Sequence, residues 1–108
     1  MAFQRMVDSS CEIVGMVSNG HDAVHTAVRL RPDALVVDLM MADLNGLEVC
    51  RLVKEAAPET NVIIVTAFDD AQVEIAALQA GAGAFMPKHS AVGTLAATIQ
   101  RLCAAAVP

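Results

Sequence analysis

The stretch PDALVVDLMMADLNGLE, from Pro32 to Glu48, holds an apolar run that ends abruptly in a carboxylate. Ala34, Leu35, Val36 and Val37 show no polar alternation and are mostly strand formers, the pattern of a strand covered on both faces within a parallel sheet. Asp38 then stands at the C-terminal tip of that strand. In open α/β sheets, ligands and chemistry gather in the crevice beyond the carboxyl ends of the strands, which makes Asp38 the first functional candidate. The plain alternative is that it stops the strand or shapes the next turn.

Outward from this stretch, apolar strands alternate with amphipathic helical segments separated by short turns rich in Gly, Asn, Asp and Pro, the signature of a βα repeat. CEIVGMV (11–17) predicts a strand, and Asn19-Gly20 opens a helix over HDAVHTAVRLR whose inward stripe is Ala23, Val24, Ala27 and Val28. LEVCRLVKEAAP predicts a second helix with Leu47, Cys50, Leu52 and Val53 toward the sheet. NVIIVTA (61–67) is the most apolar stretch and predicts a central strand. It is followed by a helix with acids at its start and Gly81 at its C-terminal cap, then by the short strand AFMPK. SAVGTLAATIQRLCAA predicts a closing helix with Ser90 as N-cap. The expectation is four strands, each followed by a helix. In front of them stands the stub MAFQRMVD, whose Phe3, Met6 and Val7 are spaced like one face of a short helix.

The 108 residues suit one small domain with a single core, and no linker interrupts the chain. Hydrophobic residues make up 56% and aromatics only 3%, so that core is aliphatic and alanine-packed. No apolar stretch reaches the roughly 20 residues that span a bilayer, and no leader pattern opens the chain, so a cytoplasmic location away from membranes is expected. Cys11, Cys50 and Cys103 are widely spaced in apolar patterns, which predicts buried free thiols. A formal net charge of −5 leaves no basic stripe for nucleic acid; DNA binding would require another domain.

Three polar residues fall at the C-terminal ends of three successive predicted strands: Asp38, Thr66 and Lys88. A carboxylate nucleophile, a hydroxyl and an ammonium on one rim suit phosphoryl transfer. The acid accepts the group while the donors hold its equatorial oxygens.

The runs VVDLMMADLNGLE, VTAFDD and ALQAGAGAFMPKHS, in that order, resemble the receiver domain of two-component response regulators, in particular the type joined to a LuxR-like DNA-binding helix-turn-helix in transcription regulators. The resemblance implies a flavodoxin-like, doubly wound parallel sheet, here of four strands because the first is missing. It covers residues 1–108 as a single receiver-like domain, N-terminally truncated or degenerate. It also implies that Asp38 is the phosphoacceptor, Thr66 the hydroxyl that follows the phosphoryl group, Lys88 the strand-end ammonium and Phe85 the rotating aromatic of the switch. The implied partners are a sensor histidine kinase or phosphotransfer protein and, through the later helices, a second copy in a homo-oligomer. Such a domain assists its own phosphorylation and dephosphorylation at most and is not otherwise an enzyme. Mg²⁺ is the implied cofactor, but the family's N-terminal acid pair does not stand in this sequence, which leaves Asp38 and the backbone carbonyl of Met40 as weak ligands. Ala42 and His89 stand where the family usually has prolines. A degenerate, phosphorylation-independent receiver acting as an interaction or dimerisation module is the alternative.

Two other patterns carry less. HDAVH spaces His21 and His25 like the zincin helix, yet it has Asp in place of Glu and no third ligand, so a solvated helix face is expected. A strand-tip Asp with later Thr and Lys also occurs in haloacid-dehalogenase phosphatases. Their general acid would fall at Met40, which transfers no protons.

Overall fold

The computed structural model describes residues 4–8, 11–17, 19–40, 43–67, 70–88, 94–95, 97–99 and 101. Its centre is the parallel pair β3 (Ala34–Asp38) and β4 (Asn61–Thr66), in register from Ala34↔Asn61 to Asp38↔Val65. β2 (Cys11–Val17) flanks β3 and β5 (Ala84–Pro87) flanks β4, both in parallel. Successive side chains on a strand point to opposite faces. Leu35, Val37, Val62 and Ile64 accordingly join one core cluster, while Ala34, Val36, Ile63 and Val65 join another. Two buried faces account for the lack of polar alternation in these strands.

The crossovers are α1 (Gly20–Leu30), α2 (Gly46–Ala56) and α3 (Ala71–Gln79). The strand order β2-β3-β4-β5 advances in one direction across the sheet. Right-handed crossovers that advance one way lay their helices on one face. Ala23 and Ala27 of α1, Val49, Cys50 and Val53 of α2 and Ala77 of α3 therefore share a core with Leu35 and Ile64. On the opposite face residues 94, 95, 97–99 and 101 are helical, with Ile99 and Leu95 against Val36, Ile63 and Met86. Helices on both faces of a parallel sheet are the flavodoxin-like architecture. In its usual order one strand lies between the counterparts of β2 and β3; here those two pair directly, with a register slip between Val14 and Val17.

Among the described residues the sheet has five strands rather than the expected four, and residues 4–8 of the stub form a strand, not a helix. β1 (Gln4–Asp8) runs antiparallel to β2, from Gln4↔Gly15 to Asp8↔Cys11. So short a segment is a poor helix nucleus, whereas the outer edge of β2 offers a row of backbone donors and acceptors that a hairpin satisfies.

Local signals act as their chemistry dictates. Asn19, Asn45 and Asp70 cap α1, α2 and α3 through their side-chain oxygens, and Gly81 takes φ 105° just past α3. The stripe expected on α1 is rotated: Thr26 is buried beside Ala23 and Ala27, while Val28 is 42% exposed. Small side chains at these positions let the helix lie close, and Val28 lines the rim of a groove with Leu44 and Leu52. Cys50 is a buried free thiol that donates to the Ala80 carbonyl at 3.5 Å; burial pushes it up to about 11 against the weaker pull of Lys54, so it stays neutral. The Cys11 and Cys103 side chains and Ser90 lie outside the described residues. Among the described residues no helix is long and apolar enough to cross a membrane.

Ile63 is fully buried and Ile75 is 53% exposed. Ile63→Ala is expected to cost about 3 kcal/mol and Ile75→Ala less than about 0.5 kcal/mol, measured as urea midpoints. Equal losses would contradict this packing.

Candidate functional site at the strand-end rim

Register brings the three strand-end residues to one rim. Asp38 pairs with Val65, the residue before Thr66, and Thr66 pairs with Pro87, the residue before Lys88. Each therefore stands one residue further along than its neighbour across the sheet. Adjacent strands lie about 4.8 Å apart, so the backbones of Asp38 and Lys88 are separated by about 10 Å. The lysine stem closes that gap: Lys88 Nζ lies 2.7 Å from Asp38 Oδ2. Oδ1 accepts from the Met40 N–H at 3.1 Å. The Asp38 and Lys88 side chains are 31% and 52% exposed. A pair this wet contributes at most about 1 kcal/mol to stability, and it leaves a charged carboxylate facing solvent. Thr66 is fully buried. Phe85, opposite Ile64 on β5, is half-buried against the core that α1 to α3 cover.

The loop after Asp38 is held at both ends. The Leu39 N–H donates to Val65 O at 3.0 Å, and the Gly46 N–H donates to Leu39 O at 2.8 Å. A Cβ at Gly46 would sit 2.9 Å from both Asp38 O and Leu39 Cα, so only glycine lets α2 start this close to the strand tip.

Asp43 is a residue that sequence reasoning missed. Its Oδ1 accepts from the Gly20 N–H at 2.7 Å and its Oδ2 from the His21 N–H at 2.9 Å, and it pairs with His21 Nδ1. Partial burial opposes its ionisation. The N–H groups of His21, Gly20 and Leu44 and the His21 ring outweigh that, holding the carboxyl well below the usual carboxylate range. The sole local signal was an acid shortly before a capped helix start, which says nothing of a partner 22 residues away.

Among the described residues no three His, Cys, Asp or Glu side chains are grouped to hold a metal ion, and both Asp38 oxygens already have partners. The contact between Met40 and Asp38 runs through the Met40 N–H. His21 and His25 lie on an exposed helix face, His21 engaged by Asp43.

A flavodoxin-like sheet with a carboxylate and an ammonium paired across its C-terminal rim defines the class. A family model described as the response regulator receiver domain matches residues 1–100, and the chain belongs to that family. It is 39% identical over 89 residues to the response regulator MprA of Mycobacterium leprae, a match that covers 82% of this chain and 39% of that relative. The chain thus spans about two-fifths of the length of the curated relatives it matches. Similar solved structures include a LuxR-family DNA-binding response regulator from Staphylococcus aureus, with TM-score 0.72 and 27% identity, covering 79% of this chain and 71% of that one. A BeF3-activated DrrB receiver domain superposes with TM-score 0.66 at 31% identity, covering 78% and 70%.

Gly46→Ala tests the close approach of α2 to the strand tip. It is expected to cost about 1–3 kcal/mol and to shift the Leu39 amide resonance; an unchanged midpoint and an unmoved Leu39 signal would contradict it.

Proposed function

We propose that the chain is the phosphoryl-accepting module of a two-component signalling pathway, with Asp38 as the acceptor. The observation that carries this reading is the 2.7 Å contact of Lys88 Nζ with Asp38 Oδ2 at the open rim, beside Thr66. An Asp38 oxygen attacks the phosphorus of a phosphohistidine on a sensor kinase or phosphotransfer protein. The P–N bond breaks, the imidazole leaves and takes up a proton, and an acyl phosphate forms. Lys88 and the Met40 N–H lie where the transferred oxygens arrive and balance their charge. Thr66 follows the phosphoryl group, and Phe85 reports it to the surface of the later elements. The domain acts on its own aspartate and turns over no other substrate. It works in the cytoplasm, with DNA contact left to other parts of a longer regulator. The BeF3-activated form of the similar DrrB receiver supports the reading.

A second reading is favoured by one observation: among the described residues no group of three metal-ligating side chains surrounds Asp38. It makes the chain a phosphorylation-independent interaction module. Incubation with acetyl phosphate separates the two. The first reading expects the mass increment of one phosphoryl group on the wild type, reversed by hydroxylamine, absent in Asp38→Asn, and little changed by magnesium. No adduct at high donor concentration would leave the second reading standing.

Self-association belongs to the same proposal, because Ile75 and Leu78 stand 53% and 50% exposed on α3 and a second copy would bury them. Light scattering over a dilution series is expected to show mass rising with concentration; a constant monomer mass would count against it.

A further inference from the structure

We infer that Asp43 is a positioning residue for Asp38: its carboxylate ties the loop between β3 and α2 to the start of α1 and so keeps the Met40 N–H on the acceptor carboxylate. The inference rests on the phosphoacceptor reading of Asp38 and goes beyond it, because Asp43 touches neither Asp38 nor the groups that would meet phosphorus.

Three features support it. The contact is long-range and two-pronged, one oxygen on the Gly20 N–H and the other on the His21 N–H and ring. The backbones are also built against each other: a Cβ on Gly20 would lie 2.5 Å from Leu44 Cβ, so α1 approaches the loop as only glycine permits. The far end of the loop is pressed on the strand tip in the same way at Gly46, whose N–H holds Leu39 O. Between these anchors stands Met40, the residue that donates to Asp38 Oδ1. The depressed pKa of Asp43 means that the clamp stays charged through the range in which carboxylates normally titrate. Released from α1, the loop has one fewer restraint on Met40. Small misplacements of groups around a reacting centre cost rate steeply.

Amide NMR on the full chain tests this without any phosphodonor. In the chain with Asp43 intact, the Met40 amide is expected to shift when Asp38→Ala removes its acceptor, with the Gly20 and His21 amides unmoved. In Asp43→Ala the Met40 response is expected to fall to about half or less, and acetyl phosphate labelling of Asp38 to slow about tenfold. Asp43→Asn, which keeps one acceptor oxygen for the α1 N–H groups, recovers part of both. A merely structural role would lower the melting temperature and leave the Met40 response intact. A folded Asp43→Ala with the wild-type response overturns the inference, as does a wild-type Met40 amide silent to Asp38. If Asp43→Ala does not fold, Asp43→Asn decides: a reduced Met40 response upholds the inference and a wild-type response overturns it. Absence of labelling in the wild type counts against the phosphoacceptor reading alone, since the Met40 response is read independently.

Discussion

Parallel pairing of β3 with β4, five residues in register and buried on both faces, is the constraint from which the rest of the molecule follows. Strands with no polar face must be covered twice. α1, α2 and α3 cover one side, and the helical residues around Ile99 cover the other. The same register sets the order in which the strands run out at the C-terminal rim. A slip of one residue would turn every core side chain of a strand to the wrong face. It would also separate Asp38 from the step that leads through Thr66 to Lys88.

The rim is assembled by packing more than by charge. The half-exposed Asp38–Lys88 pair adds little to stability, so its contribution is to present a carboxylate with a cation in place. What holds that carboxylate is the backbone around it. Leu39 is bonded to β4 and to Gly46, Gly46 is seated where no Cβ fits, and Asp43 is fastened to the start of α1. Two glycines at helix starts do what no larger residue can, letting helix N-termini close on the loop that follows the strand tip.

Membership of the receiver family and the direct pairing of β2 with β3 give this domain a distinct balance. At the C-terminal rim Lys88 pairs with Asp38. On the other side of Asp38 the sheet continues into β2 and the hairpin strand β1.

The sequence by itself determined the buried character of Ala34–Val37 and Val62–Val65, the helix starts at Asn19 and Asp70, the turn at Gly81 and the placement of Asp38 and Thr66 at strand ends with Lys88 just past the last one. Each is a local property: unbroken apolar runs, capping chemistry and backbone freedom are written within a few residues. Tertiary structure decided what depends on neighbours distant in the chain. It paired residues 4–8 with β2, because an open strand edge outweighs the weak helical spacing of so short a segment. It turned α1 so that Thr26 is buried and Val28 is not. It gave Asp43 its partners on α1, since a carboxylate in a loop has no periodicity, and its role is set only by which backbone N–H groups the fold brings within reach.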